Sequence, residues 1–233
     1  RTGRLGVIDA MFTATSATCV TGLVVRDTWS QFSLFGQVII LMLIQVGGLG
    51  LVTLTSFFAL AARRRMGFRD LRLLGESVSA DGLSKATEVL KIVIKLAAAF
   101  EAVGIVLLLF AFVPQFGAKG IWISIFNSVS AFCNAGFDII GDGKSMLSYR
   151  HDPLVLCTLA ILVAIGGLGF IVWEDIIAKK SWKRLNVYSK VIILAQIFFI
   201  VVGTFVYFIL EYGNINTIGA ESVGQKMLAS FFQ

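Results

Sequence analysis

Two tetrapeptides in this 233-residue chain could hold an ion without a single charged side chain: Cys19-Val20-Thr21-Gly22 and Cys133-Asn134-Ala135-Gly136. Their side chains are small or weakly polar. Ligands drawn from such a segment must be backbone carbonyls, whose dipoles stand in for an ion's hydration shell. Gly22 and Gly136 permit backbone angles that other residues resist, so the carbonyls beside them can turn inward. An anion site would call for Arg or Lys rings here, and neither segment has one. Cys19, Cys133 and Cys157 have neither metal-site nor disulfide spacing, so Cys19 and Cys133 read as small packing residues.

The tetrapeptides end a repeated segment. With Gly22 set on Gly136, Phe12, Ser16, Ala17 and Cys19 fall on Phe126, Ser130, Ala131 and Cys133. A long apolar stretch follows each copy, and each stretch contains the same tetrapeptide, Gly47-Gly48-Leu49-Gly50 or Gly166-Gly167-Leu168-Gly169. A short semi-polar segment ending in Gly before a membrane-length helix is the layout of a pore loop. Irregular backbone at membrane depth survives only where it is buried in protein or lines a water-filled cavity. A short helix entering such a loop aims the negative end of its dipole at the centre, which favours a cation.

The elements that must position these loops are membrane spans. Hydrophobic residues make up 57% of the chain, charged residues 15%, and the mean hydropathy is +0.87, which excludes an ordinary soluble domain. Apolar runs at about 34–60, 89–113 (stopping at Pro114), 153–173 and 188–210 are each long enough to cross a hydrocarbon core of about 30 Å. Segment 121–133 is too short to cross and reads as a re-entrant helix, and Lys226 to Gln233 look like the start of a third. The expected fold is an all-α polytopic membrane protein of repeated helix–re-entrant loop–helix units around a central ion pathway. Its expected divisions are the end of a first unit (1–62), a basic loop (63–88), a complete second unit (89–180) and the beginning of a third (181–233). The chain starts at Arg1, almost inside the first pore segment, and reads as part of a longer protein.

The net charge of +6 lies mainly in two loops, 62–88 (Arg63, Arg64, Arg65, Arg69, Arg72) and 174–190 (Lys179, Lys180, Lys183, Arg184). Positive loops stay in the cytoplasm, which makes both re-entrant segments enter from outside a multi-pass cell membrane protein. This placement explains the charge without nucleic acid, and the Arg63–Arg72 cluster reads first as an anchor against anionic lipid.

Other residues have plainer readings. Small residues inside spans usually serve helix packing, and Gly47, Gly48, Gly50, Gly166, Gly167 and Gly169 are expected to do so. They are no nucleotide loop, since no strand precedes them. Glu101 lies inside an apolar run, where a carboxylate is a functional candidate, though a hydrogen-bonded structural role is favoured. Lys91 and Lys95 are expected to snorkel, and His151 to be solvated. A polytopic membrane enzyme would need clustered intramembrane acids or a His pair, and the sequence has one His and no such cluster.

Residues 13–23, Ile44-Gln45-Val46-Gly47-Gly48-Leu49-Gly50, and residues 131–137 resemble the superfamily of K⁺ transporters that includes the Ktr, Trk and plant HKT proteins. The membrane subunit of bacterial Ktr systems is the nearest in pattern. The resemblance covers essentially the whole chain. It implies K⁺ uptake through a filter to which Cys19–Gly22 and Cys133–Gly136 contribute, with K⁺ at the carbonyls of Val20, Thr21, Asn134 and Ala135. It implies no cofactor, with Na⁺ as a coupling or activating ion. It also implies a homodimer in the bilayer carrying a separate cytoplasmic ring of nucleotide-binding regulatory subunits. A Na⁺-permeable or Trk-type cation transporter of the same superfamily is the alternative, and Gly22 argues against the Na⁺-selective form.

Overall fold

The computed structural model describes residues 6–50, 80–141 and 145–233, with side chains from residue 91 onward in the helix that begins at Ala80. The described residues are helical and contain no strand. The far half of the first apolar run (51–60), the Arg63–Arg72 cluster and Lys144 lie outside them.

The first short helix, α1, spans Val7–Thr18. It is rich in Thr, and three hydroxyls donate to carbonyls four residues back: Thr13 to Asp9, Thr15 to Met11 and Thr18 to Ala14, all at 2.8–2.9 Å. A semi-polar helix can thus stand at membrane depth with its hydroxyls satisfied internally. A single turn, α2 (Thr28–Gln31), follows, capped by Asp27 accepting from the Ser30 N–H at 2.8 Å. Then comes α3, Leu34–Gly48, capped by Ser33.

The next helix, α4, runs from Ala80 to Phe116. It extends beyond the expected span at both ends. Residues 80–88, expected in the basic loop, are helical, and the helix passes through Pro114 instead of stopping there. Pro114 lies in the last turn, where the missing N–H costs one hydrogen bond, and the Gly117 N–H still closes on the Val113 carbonyl at 2.8 Å. Its apolar portion, Lys91–Phe116, is long enough to cross a membrane.

Gly117, at φ 58°, turns the chain sharply into α5, Ala118–Phe132. This helix lies where the second unit's re-entrant helix was expected, and it is the centre of the packing. It lies against α3, α4 and the following helix α6, Pro153–Gly167. Ile123, Ser124, Phe126 and Ser128 are fully buried. Its polar members bond mostly to backbone: Ser124 donates to the Gly120 carbonyl, the Asn127 Nδ2 to the Ile123 carbonyl, and Ser128 to the Glu101 carbonyl of α4 at 2.8 Å, while Asn127 Oδ1 has no partner among the described residues.

The apolar run 153–173 is not one straight span. Helix α6 ends at Gly167, Gly169 adopts φ 79°, and α7 (Phe170–Lys179) leaves at 88°. The tetrapeptide read as packing residues therefore also breaks the helix. The first copy repeats the geometry, with Gly50 at φ 82° after α3. Glycine is required at both positions because L-residues rarely hold that backbone.

The packing reading of these motifs is correct for their first members. A Cβ on Gly47 would overlap the carbonyl oxygen of Thr18, and one on Gly166 would overlap that of Phe132. Thr18 and Phe132 are the last residues of α1 and α5. Each long helix thus presses bare backbone against the end of its own short helix.

Helix α8, Val187–Glu211, agrees with the fourth expected span to within a residue at each end. The last helix, α9 (Val223–Phe232), has a Ser222–Gln225 capping box and packs on α8 and α6, where the third re-entrant helix was expected. His151 is exposed, as expected, and also has partners at the surface. Its Nε2 accepts from Arg150 Nε at 2.9 Å and lies 3.6 Å from Oε1 of Glu221, just before α9.

The glycine contacts generate a stability test. Gly47→Ala and Gly166→Ala should each cost about 1–3 kcal/mol or more, because rigid backbone cannot yield to the new methyl. Gly203→Ala in α8 has open space around it and should be neutral or stabilising. Thermal unfolding of the detergent-purified protein checks this, and equal midpoints for all three variants would refute the packing role.

Candidate ion-coordinating site

The site begins with the way α1 and α5 end. At α1, the Val20 N–H bonds the Ala17 carbonyl at 3.3 Å and the Thr21 N–H reaches back to Ser16 at 3.0 Å. At α5, the Asn134 N–H bonds Ala131 at 3.0 Å and the Ala135 N–H bonds Ser130 at 2.8 Å. Both ends are Schellman closures, with a left-handed residue just past the cap. That residue is usually Gly, but here it is Val20 (φ 57°) and Asn134 (φ 58°).

Positive φ recurs two residues later, at Gly22 and Gly136, both 71°, with Thr21 and Ala135 outside that region. Alternating handedness gathers like groups of successive peptides on one side, where a regular strand would alternate them. The N–H groups of Val20, Thr21, Asn134 and Ala135 are already spent on their helices, so this is no anion nest. Among the described residues no donor reaches the carbonyls of Val20, Thr21, Asn134 or Ala135. These are the four carbonyls expected from sequence to coordinate the ion.

A second pair of bonds sets where each loop ends. Ser16 Oγ donates to the Leu23 carbonyl at 2.7 Å and accepts from Thr21 Oγ1 at 2.8 Å. Ser130 Oγ donates to the Phe137 carbonyl at 2.5 Å. The carbonyl following each glycine is thereby drawn back to the short helix. The repeat alignment contained both serines, but nothing in the sequence said what they bond.

The two loops meet. A Cβ on Gly22 would stand 2.8 Å from the Ala135 carbonyl oxygen and 3.3 Å from Gly136 Cα. A Cβ on Gly136 would come no nearer than 3.4 Å to anything, at Gly22 Cα. The segments called together by sequence are therefore adjacent, and the tighter side is at Gly22.

The side chains divide unequally. The Asn134 amide faces α6; turned so that donor meets acceptor, its nitrogen stands 3.2 Å from the Val163 carbonyl and its oxygen 3.3 Å from the Gly167 N–H. Cys133 is buried, and a Cβ on Gly48 would overlap it, in keeping with the packing reading. Cys19 is exposed, so that reading is corrected for Cys19: no second helix covers it among the described residues. Glu101 is structural. Gln45 Nε2 donates to its Oε1 at 2.8 Å, and Cys133 Sγ lies 3.9 Å from Gln45 Oε1. This chain of contacts ties α3, α4 and the second loop at one point. Gln45 was quoted only as part of a motif. Its partner lies 56 residues away, beyond any local pattern.

Among the described residues no cluster of His, Cys, Asp and Glu could hold a transition metal. What the arrangement offers is a set of uncharged oxygen dipoles, two short-helix C-termini and a converging pair of glycines. Uncharged oxygen dipoles and helix C-termini are the groups that favour a cation over an anion.

The amino-acid sequence is similar to known transport proteins over nearly its whole length. It is 38% identical over 232 residues to the Ktr system potassium uptake protein B of Vibrio alginolyticus, covering 98% of this chain and 50% of that protein. It is 37% identical over 226 residues to the potassium/sodium uptake protein NtpJ of Enterococcus hirae, covering 97% and 49%. The Ktr system potassium uptake protein B of Bacillus subtilis is 34% identical over 230 residues, covering 98% and 51%. The chain spans about half the length of these relatives. Residues 2–233 match the family of TrkH cation transport proteins, transporters and not enzymes, and the chain belongs to that family.

Proposed function

We propose that this chain supplies two of the loops of a K⁺ uptake pathway. The carbonyls of Val20, Thr21, Asn134 and Ala135 are its ion ligands. Cys19–Gly22 and Cys133–Gly136 are the corresponding filter segments. The supporting observation is the duplicated backbone: two Schellman closures with matched left-handed residues, whose unspent carbonyls flank glycines in contact. A membrane protein that leaves carbonyls unpaired at depth must offer them water or a cation.

The relative from Enterococcus hirae is named for both potassium and sodium, which supports Na⁺ as a second transported or activating ion. On the Ktr resemblance, the protein is a homodimer, with a separate nucleotide-binding ring on the cytoplasmic side at loop 62–88. The relatives' common name, a Ktr system, supports further components.

Orientation can be tested at exposed positions. A cysteine at Lys180 should label only from the cytoplasm and one at Leu147 only from outside, in a background without native cysteines. Labelling of both from one side would overturn the topology.

The filter itself is tested at its glycines. Gly22→Ser carries two penalties, a left-handed φ and a Cβ against the Ala135 carbonyl, itself a proposed ligand. Backbone strain of this kind costs about 1–3 kcal/mol. A loss of about 1.4 kcal/mol is a tenfold fall in apparent K⁺ affinity. Gly136→Ser carries the φ penalty with only a 3.4 Å neighbour, so its loss should be smaller. K⁺ and Na⁺ uptake kinetics in K⁺-auxotrophic cells at matched expression read both. Wild-type affinity and ion preference in both variants would show that neither glycine belongs to a filter.

A further inference from the structure

The 88° turn at Gly169 sends α7 across the end of its span, and the chain then doubles back into α8. The connection is held by one buried carboxylate. Asp175 pairs with Lys179 at 2.8 Å, accepts the Asn186 N–H at 2.8 Å and takes the Asn186 amide at 3.1 Å. Lys190 Nζ is occupied by the Lys183 carbonyl at 3.2 Å.

Three cations remain. Lys180, Lys183 and Arg184 are exposed, and among the described residues none of their side chains has an ion-pair or hydrogen-bond partner. Lys180 stands at the edge of an apolar groove formed by Ile176 and Ile177 of α7, Trp182 and Leu185 of the connection, and Ile193 of α8, and Lys183 and Arg184 lie between Trp182 and Leu185 in the chain. Ile193 is in the second turn of a span whose apolar surface faces outward, so the groove opens at the level where hydrocarbon meets water. Trp182 is half exposed, and its indole N–H has no partner among the described residues.

We propose that this groove binds an anionic phospholipid, with an acyl segment against Ile176, Ile177, Leu185 and Ile193 and the phosphate among Lys180, Lys183 and Arg184. Three observations fix the chemistry of the occupant. The wall is apolar, as an acyl chain requires. The edge carries Lys180, and the connection that forms one wall adds the exposed Lys183 and Arg184, so the occupant is negative at that end. The depth is that of aromatic belts and headgroups, where Trp182 can donate to a phosphate or ester oxygen. The Asp175 clamp holds both walls in place, so the site exists before the lipid arrives. The proposal does not depend on which ion the filter segments carry.

The test uses the full-length protein in vesicles, with Trp182 as the reporter. The emission difference between wild type and Trp182→Phe isolates that indole. Brominated phosphatidylglycerol should quench it several-fold more than brominated phosphatidylcholine at equal mole fraction. The triple variant Lys180→Gln, Lys183→Gln, Arg184→Gln should remove the preference and retain quenching by phosphatidylcholine. A charge-preserving variant, Lys180→Arg, Lys183→Arg, Arg184→Lys, should keep the preference, which separates lost charge from lost fold. Equal quenching by the two lipids in wild type would overturn the proposal. So would a preference that survives the Gln variant, or no quenching by either lipid, which would mean that another segment covers the groove.

Discussion

Everything in this fold follows from how a short helix ends. A helix terminus leaves carbonyls without partners, and at membrane depth each unsatisfied group costs several kcal/mol. The Schellman closure satisfies the last turns of α1 and α5 by borrowing the N–H groups of the next two residues. That borrowing shifts the deficit outward. The carbonyls of Val20, Thr21, Asn134 and Ala135 are left with no donor among the described residues, in a loop too short and too twisted to pair with itself. Water or a cation must complete them, so the ends of the short helices must converge on a shared space. The contact between Gly22 and Gly136 is that convergence.

The long helices are shaped by the same requirement. Each must come close enough to its short helix to hold the closure in place. Gly47 and Gly166 do this by laying bare backbone on the Thr18 and Phe132 carbonyls. Two residues after each motif's second glycine the chain takes positive φ, at Gly50 and Gly169, and leaves the helix direction. One tetrapeptide therefore does two unlike things in four residues: close approach, then a break. The units then diverge. In the first, Gly48 packs on Cys133 of the second loop, while in the second, Gly167 spends its N–H on the Asn134 side chain of its own loop. The first unit's long helix braces its neighbour's loop, and the second unit's braces its own.

Much of this was readable from the sequence, for identifiable reasons. The repeated segments stand out because Gly, Ser and Cys recur in register outside the long apolar runs, and α5, α8 and α9 lie where that pattern and hydropathy put them. The break at Gly169 was not readable, because glycine in an apolar run looks the same whether it serves packing or a turn, and only φ separates the two. Passage of α4 through Pro114 depends on a position in the last turn, where one lost bond is tolerable. Cys19 and Cys133 match in sequence and differ in burial, since burial depends on what packs from elsewhere. The bonds from Gln45 to Glu101, from Trp122 to Gln37 (2.8 Å) and from Asn186 to Asp175 join distant residues that no local spacing marks.

The two loops share a backbone but not its cost. Asn tolerates the left-handed region, and Asn134 moreover uses its amide to tie the loop to α6. Val20 is β-branched, for which φ 57° is a genuine outlier worth about 1–3 kcal/mol of strain. Something must hold it there, and the first loop has the extra bond the second lacks: Thr21 Oγ1 to Ser16 Oγ, beside the closure and the Ser16–Leu23 bond. In the second loop the residue matching Thr21 is Ala135, with no hydroxyl to give. So one loop reaches the shared geometry by strain held with an added hydrogen bond, the other by a residue at ease in it and anchored sideways. The first loop is accordingly the one whose carbonyl positions are most sensitive to its own side chains, and the second the one most sensitive to how α6 sits behind it.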